Sequence, residues 1–214
     1  MSEPAKQFDQ APESYSPKAK PEIMKLLEEA QQSVPAIAGA PTPFSKRFGV
    51  FQLPASRAIG MEERHKLHGG PELVAAPQWV RAFESELWRT VQALPQLISG
   101  SAFGWACDYD AESDTFSYLV SVLCPAGTAV PAGCQFRDVP PTHAAVGLWG
   151  DDLHRVIKRM KRRGYVTHYE DEGCEWNAEL YFGEEKANLP RRPKANAAGC
   201  RWLVPCKPKK EKTS

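Results

Sequence analysis

The chain is short of the features that would identify its chemistry at once. Its six cysteines, Cys107, Cys124, Cys134, Cys174, Cys200 and Cys206, include no pair at Cys-x-x-Cys spacing, which argues against a zinc ribbon or a thioredoxin-like redox centre. Most lie inside apolar runs and read as small buried hydrophobes of a reducing compartment. There is no His-Glu-x-x-His pair, no glycine-rich phosphate loop and no Ser/His/Asp arrangement, so neither a metal nor a cofactor is expected. His65 and His68 have ligand-like spacing without a third donor nearby, and read as surface residues. Neither charge dominates: 27 Lys and Arg face 26 Asp and Glu, for a net charge of +1. A bulk field that would attract nucleic acid is therefore missing. No apolar run approaches the ~20 residues of a membrane span. The start, Met-Ser-Glu-Pro-Ala-Lys, has neither the basic nor the apolar region of a signal peptide. The expectation is a cytoplasmic protein with no membrane partner, and with the charge balance set against nucleic acid.

What is present divides the 214 residues into three parts. Residues 1–45 are rich in proline, alanine, serine and charge, a composition that buries too little apolar surface to offset ordering entropy. Within them Ile23, Leu26, Leu27 and Ala30 follow helical spacing behind Pro21, predicting a short amphipathic helix over 21–33. Residues 46–207 read as one folded domain, and 208–214 as a basic tail. In the domain, the run 48–53 reads as strand, Pro54 interrupts it, and 57–62 resumes it. Val80, Phe83, Leu87, Val91 and Leu94 form one helical stripe over 77–94, bordered by Trp79 and Trp88. A hairpin follows, 102–109 and 116–124, with strict alternation in both arms. The second half repeats the plan. Residues 134–139 and 142–149 are strands separated by Pro140-Pro141. A helix starts at 151 with Asp151 as the expected cap and stops at Gly164. Strands at 174–182 and 200–205 close the chain. Two β-α-β-β units predict an α+β fold: a duplicated module with an antiparallel-rich sheet, both helices on one face, and the other face left for a ligand cavity, a covering loop or a partner.

The most informative stretch is Cys174 to Phe182. Cys174, Trp176, Ala178, Leu180 and Phe182 fall on one face, and Glu175, Asn177, Glu179 and Tyr181 on the other. A carboxylate beside aromatic rings on a rigid strand suits a cationic or polarised aromatic ligand, drawn by charge and by the negative faces of the rings. The small residues alternating with Trp105 would let a helix approach closely or leave space for that ligand.

Several stretches together resemble the gyrase-inhibitor-like family, the effector-binding domain also fused to bacterial multidrug-sensing transcription regulators. They are Asp114–Val120, Val139-Pro-Pro-Thr-His-Ala-Ala-Val146, Ala178-Glu-Leu-Tyr181 and Trp202-Leu-Val-Pro-Cys-Lys207. The chain departs from that pattern at His143, where the family has an aromatic, at Cys206, and in its long proline-rich start. The resemblance implies a duplicated β-α-β-β fold and a pocket for hydrophobic, often cationic, small molecules, with the family's acidic strand residue falling on Glu179. No helix-turn-helix precedes residue 47, so the domain would act alone.

Three functional readings follow. In the first, the chain binds a hydrophobic or cationic aromatic molecule through Glu179, Tyr181, Trp105, Tyr109 and Tyr118. In the second, the same scaffold hydrolyses reactive cyclopropane-bearing aromatics, an activity the resemblance brings, with Glu179 as general base. In the third, a basic helix face, Arg155 to Arg163, meets a macromolecule. The natural ligand and the oligomeric state are left open.

Overall fold

A computed structural model describes residues 47–66, 76–148, 151–170, 173–181 and 201–209. The predicted helix over 21–33, His68, Cys200 and the residues beyond 209 lie outside them. The chain runs β1 (Gly49–Leu53), β2 (Ser56–Lys66), α1 (Ala76–Glu84), α2 (Glu86–Gln92), β3 (Ala102–Asp110) and β4 (Thr115–Pro125). It continues as β5 (Gln135–Val139), β6 (Thr142–Val146), α3 (Leu153–Arg162), β7 (Tyr165–Thr167), β8 (Trp176–Tyr181) and β9 (Arg201–Pro208).

The fold is α+β, with one antiparallel sheet in the order β1-β6-β9-β8-β3-β4-β2-β5 and β7 added against β9. This order makes the internal repeat visible. Exchanging β1 with β5, β2 with β6, β3 with β8 and β4 with β9 gives the same order read backwards. The registers agree: Leu53 pairs with Thr142 where β1 meets β6, and Ser56 pairs with Val139 where β2 meets β5. The pseudo-twofold axis therefore passes between β3 and β8.

The proline corners force the sheet to curl. β1 and β2 stand six places apart in the order, roughly 29 Å in a flat sheet at ~4.8 Å per strand. Only Pro54 and Ala55 join them, a reach of at most about 11 Å. The second corner, Pro140-Pro141, imposes the same condition on β5 and β6. A half-barrel satisfies both. Its concave side is not left open for a ligand among the described residues: Phe103, Trp105, Leu119, Leu123, Trp176, Leu180 and Leu203 fill it as a core.

The three described helices all lie on the convex side. α1 and α2 cover β2 and β4 through Trp79, Ala82, Trp88 and Val91. α3 covers β6, β7 and β9 through Val156, Ile157 and Met160. Three local expectations are corrected. The helix expected over 77–94 is two helices, because Ser85 leaves helical geometry and caps the second, its hydroxyl accepting from Trp88 N and donating to the Ala82 carbonyl. The cap of α3 is Asp152, which accepts from Arg155 N at 2.8 Å, whereas Asp151 accepts from Leu148 N and pairs with Arg159. The last strand extends past 205 to Pro208, carrying Cys206 into the core under α3. No helix among the described residues is long and apolar enough to cross a membrane.

Candidate functional site

The strip between the two helix patches is the central strand pair. On β3 its convex positions are Ala102, Gly104 and Ala106; on β8 they include Asn177 and Glu179. Gly104 pairs directly with Glu179 across the pseudo-twofold axis. Gly104 also pairs with Val120 on β4, and Glu179 with Trp202 on β9. Glycine and carboxylate thus hold equivalent places in the two halves, and the symmetry is broken at its own centre.

The missing side chain at Gly104 is what assembles the site. A Cβ there would overlap the phenol of Tyr118 and lie 2.8 Å from Cζ2 of Trp79. The backbone therefore lets the Tyr118 ring, from β4, lie across β3 and reach β8. The Tyr118 hydroxyl donates to Glu179 Oε2 at 2.5 Å and accepts from Trp79 Nε1 at 2.9 Å. Tyr118 and Trp79 are both nearly enclosed, and Glu179 is half-buried. A carboxylate in such surroundings keeps much of its field, because little water screens it.

A second layer fixes Tyr118 from behind. Gln78 Nε2 donates to the Tyr118 carbonyl at 2.8 Å and to the Met61 carbonyl at 3.0 Å. With both its N–H groups committed to carbonyls, Gln78 must accept through Oε1, so His65 carries its proton on Nε2 in the 2.7 Å contact between them. His65 is 8% exposed and packs against Phe116 and Tyr118. The surface role expected for it is thus corrected: β2 turns it inward, under α1. Beside Glu179 the layer is completed by Asn177, whose carbonyl accepts from Tyr169, and by Trp202. That indole packs against both helix patches, and its buried N–H has no acceptor among the described residues.

The five residues singled out in the sequence are distributed as follows. Glu179 and Tyr118 are in direct contact. Tyr181 pairs with Ala102 in the backbone register, and its side chain lies outside the described residues. Trp105 is on the opposite, concave face, 1% exposed, its Nε1 donating to Ser121 Oγ and its ring against Phe103 and Trp176. It does not reach Glu179, because its register partner is Ala178, on the dry side of β8. Tyr109 sits at the far end of β3, beyond a register shift and near Asp114, about five residues, or roughly 17 Å, along the strand from Gly104. Trp79, Gln78 and His65 are the members that sequence reasoning left out. The signal available for them was Gly104 itself, a glycine inside an alternating strand, which marks close approach of another group.

An open depression of 430 Å3 lies elsewhere, at the proline corners, lined by Ser56, Arg57, Gly127, Asp138 and Pro140. Arg57 crosses it to pair with Asp138 in two hydrogen bonds and to the Thr128 carbonyl. Among the described residues no group of three His, Cys, Asp or Glu side chains is placed to hold a metal ion.

No protein-family model matches the chain, and no curated protein matches it. Among solved structures it is similar to SAV2435 bound to tetraphenylphosphonium, at 12% identity over 75% of this chain and 94% of that one, with a TM-score of 0.46. A putative bacterial transcription regulation protein from Staphylococcus aureus matches at 12% identity over 75% and 98%, with a TM-score of 0.45. An integron cassette protein from the mobile metagenome of Vibrio cholerae matches at 10% identity over 76% and 96%, with a TM-score of 0.34.

Proposed function

We propose that this chain binds a hydrophobic small-molecule cation on the strip between its helix patches, with Glu179 as the charge partner. The observation that supports this is the half-buried Glu179 carboxylate, held by the Tyr118 hydroxyl, which Trp79 in turn holds in place. A half-buried carboxylate on the central strand pair, flanked by aromatic residues, is the kind of polar group a site for a cationic molecule uses to fix its ligand. The Tyr118 hydroxyl donates to one carboxylate oxygen and so orients the group toward the strip. Tyr118 and Trp79 are enclosed, and their part is to hold the carboxylate in position for that cation. Tyr181, by its place on β8, is assigned to the same rim.

The test compares tetraphenylphosphonium, which has a charge and no hydrogen-bonding group, with neutral triphenylphosphine oxide. Binding is followed by tryptophan quenching in the native chain and in Glu179→Gln. The substitution is expected to weaken the cation at least tenfold, about 1.4 kcal/mol, and to leave the neutral compound nearly unchanged. Equal losses for both would assign Glu179 a purely structural part. Hydrolysis with Glu179 as base is the other use of the same group. A reactive cyclopropane-bearing ligand that gains one water on incubation, measured by mass, would replace binding with catalysis.

A further inference from the structure

We infer that the outer face of α3 is a docking surface for the phosphate backbone of a nucleic acid. The near-zero net charge conceals a segregation of charge that the fold makes visible. α3 reads Leu-His-Arg-Val-Ile-Lys-Arg-Met-Lys-Arg and contains no acid. Leu153, Val156, Ile157 and Met160 turn toward the sheet, so His154, Arg155, Lys158, Lys161 and Arg162 are all exposed on the outside. The patch then continues off the helix. Arg163 lies over the Phe48 ring at 5.0 Å, and the Lys209 amide donates to the Gly164 carbonyl at 2.7 Å, which places a residue of β9's end beside the helix C-terminus.

Among the described residues two acids at the start of α3 pair with its arginines, and Glu170 pairs with Lys207 on β9. Asp152 caps the helix and pairs with Arg155, and Asp151 pairs with Arg159. Along the rest of the face the helical neighbours Lys158–Arg162 and Arg155–Lys158 are like charges, each such pair costing roughly 0.2–0.5 kcal/mol in an isolated helix. Only part of that is offset by cations favouring a helix C-terminus. An anionic partner would turn this repulsion into attraction.

The chemistry of the face selects among anionic partners. A membrane-surface helix inserts its apolar side into the lipid, but that side of α3 is buried in the protein. A protein interface is anchored by aromatic and apolar residues at its centre and is poor in lysine, yet the one large hydrophobic exposed among the described residues is Phe136, on β5. A surface of point charges without an apolar anchor matches a polyphosphate backbone, where binding comes from displaced counterions. The strip at Glu179 is a separate region of the convex side, so the two functions can be tested apart.

The experiment is fluorescence anisotropy of a short labelled DNA duplex of mixed sequence, titrated with the full chain. The double variants Lys158→Gln/Arg162→Gln and Lys158→Glu/Arg162→Glu are measured alongside, with thermal melts and tetraphenylphosphonium binding confirming that each still folds. Four phosphate contacts predict that affinity falls roughly 150-fold between about 50 and 200 mM salt. The glutamine pair should lower the slope of log affinity against log salt by about 1.8, and the glutamate pair should abolish binding. Absence of binding in the lower salt would overturn the inference, as would an unchanged slope in the glutamine pair. Equal affinity for polyglutamate, or binding to anionic phospholipid vesicles in preference to the duplex, would also overturn it, pointing to an acidic protein or a membrane instead.

Discussion

At the scale of single residues, parity along the strands decides what each aromatic does. Tyr118 and Trp105 are both large, nearly inaccessible rings that hydrogen-bond through their polar atoms. They differ by which side of the sheet they occupy. Tyr118→Phe removes a hydroxyl that donates to Glu179 and accepts from Trp79. A buried hydrogen bond lost on one side costs about 1–3 kcal/mol, and the carboxylate loses the hydroxyl that orients it. Trp105→Phe removes the donor to Ser121 and some concave packing, with a stability loss of the same order. Chemical denaturation should show both variants destabilised, while only Tyr118→Phe changes affinity for tetraphenylphosphonium. A loss of affinity in Trp105→Phe comparable to that in Tyr118→Phe would contradict the placement of the site on the convex face.

Between residues and the whole lie the helices, and here capping outweighs the hydrophobic stripe. Val80, Phe83, Leu87, Val91 and Leu94 keep helical spacing across 77–94, yet the chain breaks at Ser85 because a serine hydroxyl competes for backbone groups that a continuous helix would pair. The break lets α2 turn so that Trp88 and Val91 enter the core and Leu87 stays near the β4–β5 loop at Gly133. Ser85→Ala is expected to cost about 1 kcal/mol, read as a lower thermal midpoint. It should also loosen the contact of Ser85 with the Met61 sulfur, on the strand whose carbonyl holds Gln78. A midpoint unchanged or raised would mean that the stripe, and not the cap, governs this segment.

At the scale of the molecule there are three packed regions: the concave core, the α1/α2 patch and the α3 patch. Each holds a free thiol: Cys107 in the first, Cys124 in the second, Cys206 in the third. Burial pushes these thiols up from their ordinary 9.0, to about 12 for Cys107 and Cys206 and about 11 for Cys124. A thiol that keeps its proton longer when folded than when unfolded stabilises the fold fully below pH 9, and that contribution is lost as pH rises toward the folded value. Denaturant midpoints should therefore decline steadily above pH 9, and iodoacetamide at pH 8 should leave the three thiols unmodified until denaturant is added. A midpoint constant to pH 11, with fast labelling of the native chain, would contradict the dry surroundings of all three.

The sequence by itself determined most of the elements and their duplication, though not the break at Ser85 or the short strand β7. Period-two runs at 102–109 and 116–124, a helical stripe at 153–160 and prolines at 54 and 140 are local patterns, and local sterics turn them into strands, a helix and corners. It also marked Glu179, because a carboxylate on an apolar-backed strand stands out in one dimension. It did not reach the partners. Which strand lies beside β8, and in what register, depends on two proline corners drawing distant strands together, a condition on the whole chain. That closure puts Gly104 opposite Glu179, sends Trp105 to the other face, and brings Trp79, Gln78 and His65 in behind Tyr118. Only tertiary structure could decide it, because a one-residue change in pairing would have reversed every one of those faces.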